Sequence, residues 1–219
     1  MPKRRIEVFV VEDDDAVRDS LCWLAESAEH PAVGYDCAES FLAAFDATDP
    51  GCIVSDVRMP GISGIALITE ITRRSRLLPV IVITAHGDIQ MAVEAMKEGA
   101  FDFVEKPFED KALLHVIGQA VDESRRRFAI RARDSELWSR LERLTPREHE
   151  VLEQLIDGRS NRLVAESLAI SEKTVEAHRA HIMEKMNAAS FADLVTQVVK
   201  AHLSHPGDNN GDGDGPVRT

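Results

Sequence analysis

Ile6-Glu7-Val8-Phe9-Val10-Val11-Glu12-Asp13-Asp14-Asp15 sets a short apolar run directly before a row of acids. The run reads as a strand over Ile6–Val11, and the helix-period segment Ala16–Glu29 follows it. The same alternation repeats downstream. Strands are expected at Ala32–Tyr35, Cys52–Ser55, Val80–Thr84 and Phe101–Val104, with helices at Ser40–Phe45, Ile65–Arg73, Ile89–Lys97 and from Asp110 to about Val121. Five such strand–helix units with short connections imply an α/β domain, its parallel sheet covered by helices on both faces. Right-handed crossovers reduce the topologies to a few, of which the flavodoxin-like, doubly wound five-stranded sheet is the expectation.

That domain is expected to occupy residues 1–120 of the 219. Residues 121–144 hold no Pro or Gly and read as a helical linker, with a break near Arg133-Asp134-Ser135. From 145 to 204 the pattern is wholly helical and predicts a small all-α domain of four helices. Thr145-Pro146-Arg147-Glu148 opens the first: Thr as N-cap, Pro in the first turn, Glu three residues on to close a capping box. Gly158 stops it, Ser160 or Asn161 opens a short helix to Leu168, Ser171 caps a longer one to about Met186, and Ser190 begins the last. Residues 205–219 are rich in Gly, Asp and Asn and read as a disordered tail.

Composition narrows the function classes. Hydrophobic residues make up 44% and charged residues 29%, as in a soluble globular protein. No apolar run approaches the roughly 18 residues of a membrane helix, so no membrane role is expected. The N-terminal segment has the basic head of a secretory signal, but Glu7 interrupts its apolar stretch and acids end it, so a signal peptide is rejected. Cys22, Cys37 and Cys52 are odd in number and lack metal-type spacing, which suits free thiols in the reducing cytoplasm. The net charge of -12 is uneven: residues 1–120 carry 11 Lys/Arg against 21 Asp/Glu, whereas residues 145–205 carry 7 against 9. DNA contact by the second half must therefore rest on the placement of charges and not on a bulk field.

In a doubly wound sheet, ligands gather at the carboxyl ends of the strands. There the first strand presents Glu12 and Asp13, the third Asp56, the fourth Thr84 and the fifth Lys106. Capping of a helix N-terminus accounts for Asp14 or Asp15. It accounts neither for an acid at one strand end nor for a lysine at another. Clustered carboxylates, a hydroxyl and an ammonium suit phosphoryl transfer to a carboxylate, a reaction that needs positioning and charge neutralisation more than covalent help.

Val11-Glu12-Asp13-Asp14, Ser55-Asp56-Val57-Arg58-Met59-Pro60-Gly61-Ile62-Ser63-Gly64, Ile83-Thr84-Ala85-His86-Gly87 and Glu105-Lys106-Pro107-Phe108 resemble the response-regulator receiver family over residues 6–120. By that resemblance Asp56 is the phosphoacceptor. Glu12, Asp13, Asp56 and the backbone carbonyl of Arg58 hold Mg2+ or Mn2+, and Thr84 and Lys106 contact the phosphoryl group. Phe103 matches the aromatic that turns inward when Thr84 swings toward the phosphate. The family commonly has Asp where Glu12 stands, and the longer side chain suits contact through a metal-bound water. A sensor histidine kinase is the implied donor.

Asn161–Met186 reads as short helix, turn and longer helix, the helix-turn-helix plan whose second helix enters the major groove. Leu144-Thr145-Pro146-Arg147-Glu148, Gly158-Arg159-Ser160-Asn161, Ile170-Ser171 and Thr174-Val175-Glu176-Ala177-His178-Arg179 resemble the LuxR/NarL-type output domain, and the whole chain is similar to the FixJ subfamily of two-component transcription factors. Val175, Ile182 and Met186 recur at helical period and are expected in the core. Arg162, Ser171, Lys173, Thr174, Glu176, Ala177, His178 and Arg179 are the expected DNA contacts, with Glu176 placed to accept from cytosine N4 and Ala177 to touch a thymine methyl. Phe191, Leu194, Val195 and Val198 line one side of the last helix; half are expected to pack on their own domain, and the remainder to form a homodimer interface after phosphorylation. Promoter DNA and RNA polymerase are the implied output partners.

Three other readings compete. A Mg2+-dependent aspartyl-phosphate phosphatase usually carries a second acid two residues after its nucleophile, where this chain has Arg58. No enzymatic turnover of external substrates is therefore expected, only self-phosphotransfer and autodephosphorylation. A signalling adaptor that does not bind DNA would fit the slightly acidic second half. Asp208-Asn209-Asn210-Gly211-Asp212-Gly213 matches the first half of a calcium loop, but the twelfth position is Thr219 in place of Glu.

Overall fold

The computed structural model describes residues 6–46, 50–75, 77–84 and 89–204. They form two compact units, divided between Ile130 and Arg131. The tail at 205–219, with its calcium-like run, lies outside the described residues.

In the first unit, β1 (Glu7–Val11), β2 (Ala32–Tyr35), β3 (Gly51–Asp56), β4 (Val80–Thr84) and β5 (Asp102–Glu105) form one parallel sheet in the order β2-β1-β3-β4-β5. The helices α1 (Asp15–Ser27), α2 (Ala38–Ala44), α3 (Gly64–Arg74), α4 (Ile89–Glu98) and α5 (Asp110–Leu141) connect the strands or follow the last. Alternation along the strands builds two cores. Phe9, Val11, Ile53, Val80 and Val82 face Phe41 of α2, Leu67, Ile68 and Ile71 of α3, and Ala95 of α4. Val8, Val10, Cys52, Val54, Ile81 and Ile83 face Leu21 and Leu24 of α1 and Leu113, Ile117 and Val121 of α5. The central strands are buried on both sides, which is why they read as continuous apolar runs.

Several boundaries differ by a residue or more from the sequence reading, three of them with a local cause. Helix α2 begins at Ala38, with the extended Cys37 as its cap, because the Cys37 Sγ accepts from the Ser40 amide. Strand β5 sits one residue later than expected, since Phe101 donates its amide to Val80 O before the ladder begins. Helix α5 runs unbroken through 133–135 to Leu141. Ion pairs one turn apart replace the missing apolar period there: Asp122 with Arg125, Glu123 with Arg126 and Arg127, and Glu136 with Arg140. The residues just past 120 also belong to the first core. Val121 and Ser124 are buried, and Ser124 Oγ accepts the Gly51 amide at 3.1 Å.

The second unit holds α6 (Pro146–Ile156), α7 (Asn161–Leu168), α8 (Glu172–Met186) and α9 (Phe191–Ser204). Val151, Leu152, Leu155, Val164, Val175, Ile182, Met186, Leu194 and Val198 make its core. The capping box is formed: Thr145 Oγ1 accepts from the Glu148 amide while the Glu148 carboxylate accepts from the Thr145 amide.

Candidate functional site

Three side chains of the first unit meet at the carboxyl edge of the sheet, and a fourth closes a strand of the same edge, because each stands at or just beyond a strand end. Glu12 follows β1, Asp56 closes β3, Thr84 closes β4 and Lys106 follows β5. Glu12, Asp56 and Thr84 are buried. Lys106 Nζ donates to Asp56 Oδ2 at 2.8 Å and to Glu12 Oε2 at 2.9 Å, so one ammonium joins two carboxylates. Desolvation raises the Glu12 carboxyl above its ordinary range, outweighing the hydrogen bond from Lys106. Desolvation also opposes the charge on Lys106, but its hydrogen bonds to Asp56 and Glu12 outweigh that and raise its pKa.

The β3–α3 loop shapes the rim. The Arg58 amide donates to Asp56 Oδ1 at 2.8 Å, so each carboxylate oxygen of Asp56 has a protein donor. Gly64 passes so close that a Cβ there would stand 2.2 Å from the Asp56 carbonyl oxygen. Glu39 of α2 accepts the Ile62 amide at 2.9 Å and holds the turn at Gly61, whose φ is +77°. Glu39 and Gly64 were not singled out by sequence. The available signal was the pair of glycines bracketing Ile62-Ser63.

Asp13 is exposed beside this crevice, while Asp14 caps α1 by accepting the Val17 amide at 3.0 Å. Among the described residues, no three His, Cys, Asp or Glu side chains cluster as a metal cage. The donors are all oxygens, and the two that converge are carboxylates. That set fits Mg2+, which binds through one or two carboxylates plus phosphate oxygens and keeps its own waters. Phe103 is 41% exposed on β5, where it pairs with Val82, so it does not belong to the sheet's core.

In the second unit, α7, the left-handed Ala169 and the Ser171 cap lead into α8, forming a helix-turn-helix. Val175, Ile182 and Met186 are buried, leaving Lys173, Thr174, Glu176 and Ala177 exposed and His178 and Arg179 half-buried. Ser171 Oγ accepts the Thr174 amide and pairs with the Thr174 hydroxyl, so both side chains are occupied in the cap. Arg162 is exposed and pairs with Glu166 at 3.0 Å. The Arg179 guanidinium lies 4.5 Å above the centre of the Phe191 ring. On α9, Leu194 and Val198 are buried in the unit's own core, Phe191 and Val195 are half-buried, and Val199 is exposed. The buried Glu148 also accepts from Lys185 Nζ at 2.6 Å, tying the start of α6 to the end of α8. Burial opposes its charge, yet the bonds from Lys185 and Thr145 prevail and hold its pKa down at about 2.

Family models and relatives match both units. The response regulator receiver domain model matches residues 8–118, and that of the bacterial regulatory proteins of the luxR family matches residues 142–198. The transcriptional regulatory protein FixJ of Azorhizobium caulinodans is 44% identical over 199 residues, covering 91% of this chain and 94% of its own length. The transcriptional regulatory protein TdiR of Thauera aromatica is 38% identical over 213 residues, covering 96% and 94%. Among solved structures, the response regulator StyR superposes with a TM-score of 0.81 at 44% identity, covering 90% of this chain and 99% of that one.

Proposed function

Because the chain belongs to the FixJ-like response regulators, transcriptional regulators that join a receiver domain to a LuxR-type DNA-binding domain, we propose that a phosphoryl group on Asp56 controls its binding to promoter DNA. The receiver comprises residues 1–120 and the buried Val121 and Ser124 just past them; the helical linker runs from there to 144, followed by the DNA-binding domain 145–204 and the tail 205–219. The chain works in the cytoplasm, where Cys22, Cys37 and Cys52 stay free thiols. Among the described residues, no helix is long and apolar enough to cross a membrane.

A carboxylate oxygen of Asp56 attacks the phosphorus of a phosphohistidine on the partner kinase. The new O–P bond forms as the N–P bond breaks, and the imidazole leaves. Lys106, which already holds Asp56, follows the charge and pairs with a phosphoryl oxygen. Mg2+ or Mn2+, held by Glu12, Asp13, Asp56 and the Arg58 carbonyl, would neutralise charge on the phosphoryl group. The product carries about -1.5 to -2 of added charge, toward which the Thr84 hydroxyl turns. Phe103, now outward, fills the space that Thr84 leaves. With Arg58 two residues after Asp56 there is no second acid for turnover of external substrates, and chemistry is confined to self-phosphotransfer and autodephosphorylation.

In the output domain, α8 enters the major groove. Glu176 and Ala177 read base edges, while Arg162, Ser171, Lys173, Thr174, His178 and Arg179 serve the backbone side of the contact. Phosphorylation brings two copies together through the side of α9 that carries Val195, since Leu194 and Val198 are buried in the domain's own core, giving two half-sites. The bound dimer presents itself to RNA polymerase.

The observation that carries this reading is the single ammonium of Lys106 shared by Asp56 and Glu12 at the carboxyl edge of the sheet. A gel shift with and without acetyl phosphate and Mg2+ tests it. Treatment is expected to raise DNA affinity and to convert monomer to dimer in sedimentation; an unchanged monomer with unchanged affinity would refute it.

A further inference from the structure

Arg159, Arg162 and Arg179 come from three places in the sequence: the α6–α7 turn, the first turn of α7 and the middle of α8. They line one open cavity of about 460 Å³, together with Glu172 and Phe191. The domain as a whole is slightly acidic, so three guanidinium groups around one space are a local reversal of its charge. Crowding like charges is unfavourable unless something anionic relieves it.

Their present partners are weak ones. Arg162 pairs with Glu166, but both side chains are more than half exposed, and such pairs contribute about 0–1 kcal/mol. Arg159 donates to the neutral Gln154 amide oxygen at 3.2 Å. Arg179 lies over the Phe191 ring, whose face attracts a cation while leaving the planar edge of the guanidinium available for hydrogen bonds. Glu172 is the one carboxylate among the lining side chains. The set can exchange these contacts for bidentate bonds to phosphate at little cost.

The rotation of Arg179 on its helix separates it from the base-reading Ala177, while Glu176, one turn before it, shares its flank. Successive helical residues turn by about 100°. With Val175, Ile182 and Met186 inward, the opposite face carries Lys173, Ala177 and Ala180. Arg179 falls on the flank shared with Glu172, against the first residue of α9.

We propose that Arg159, Arg162 and Arg179 together seat a phosphodiester of the DNA backbone beside the groove occupied by α8, and that Phe191 is the platform that orients Arg179 and not a dimer contact. This rests on the DNA-binding reading above and adds to it Arg159, a shared seat for the three arginines and a different role for Phe191.

The test uses the full chain treated with acetyl phosphate and Mg2+, with Arg159→Gln, Arg162→Gln, Arg179→Gln and the triple variant. Two duplexes are titrated: one selected by the wild-type protein from a random pool, and one of scrambled sequence. Each variant is expected to weaken binding to both duplexes by the same factor, keeping their ratio. The triple variant is expected to flatten the log–log salt slope by about 0.9 for each phosphate lost. A collapse of the ratio in Arg179→Gln would make that residue a base reader, and unchanged affinity and slope would remove the seat. Phe191→Leu is expected to weaken binding without adding to the loss in Arg179→Gln, and to leave sedimentation unchanged. Reduced dimerisation in Phe191→Leu would overturn the platform role. A wild-type chain with no salt-dependent binding to either duplex would sink the DNA-binding reading itself, a result distinct from these.

Discussion

Lys106 Nζ donates to Asp56 Oδ2 at 2.8 Å, linking the end of β3 to the residue after β5. The bond does two things. It neutralises a buried carboxylate before phosphorylation, and it keeps a cation where the charge will grow. Lys106→Met should leave Asp56 and Glu12 without their shared cation. The expected result is a folded protein whose phosphorylation by acetyl phosphate slows by about 10²-fold, the scale for losing one charge-stabilising donor. Phosphate incorporation over time measures it.

Gly64 is needed for the loop that carries Arg58 and the turn after Asp56. A methyl group there would meet the Asp56 carbonyl oxygen at 2.2 Å, and a backbone atom held in β3 yields poorly. Gly64→Ala should destabilise the receiver by about 3 kcal/mol, the upper end for overpacking. It should also slow phosphorylation although every charged group remains. Urea unfolding and phosphate incorporation on the same sample check both.

The Glu148–Lys185 pair sets an acid limit on the output domain. The Glu148 pKa lies at about 2 in the fold against an ordinary 4.5. A lowered carboxylate pKa stabilises the fold above the ordinary value, and that contribution is lost as pH falls toward the lowered one. Glu148→Gln should therefore be less stable than wild type by about 2–4 kcal/mol near neutrality, where it leaves Lys185 without its anion. The difference should shrink from about pH 4.5 downward and vanish near pH 2. Thermal melts followed by helical circular dichroism across that range give the curve.

On α8, exposure separates reading from folding. Glu176 is exposed and Ile182 fully buried. Glu176→Ala should leave stability within about 0.5 kcal/mol and relax sequence preference at one base pair by about 1–3 kcal/mol. Ile182→Ala should cost about 2–5 kcal/mol of stability through the cavity it leaves. Binding to a panel of single-base operator variants, paired with melts, distinguishes the two.

Much of this molecule was legible because burial on both faces writes continuous apolar runs, as in Val80–Thr84, and because caps have local chemistry, as in Thr145 with Glu148. The acidic crevice was legible for a topological reason: a parallel doubly wound sheet sends every strand's carboxyl end to one edge, so Glu12, Asp56, Thr84 and Lys106 had to converge. What escaped depends on contacts distant in sequence. Helix α5 continues through Arg133-Asp134-Ser135 on neighbouring ion pairs, where the apolar period gives no support. Glu39 reaches the Ile62 amide from another helix, and no spacing announces it. Arg179 is half-buried with the Phe191 ring of the next helix beneath it, and no spacing within α8 announces that partner.

The most direct measurement is phosphate incorporation from acetyl phosphate with Mg2+ into wild-type chain and Asp56→Asn, with the modified residue located by mass spectrometry after borohydride reduction. Wild type should carry one acid-stable, base-labile acyl phosphate at Asp56, and the variant none. Undiminished aspartyl phosphate in Asp56→Asn, or its location at Glu12 or Asp13 in wild type, would contradict the assignment.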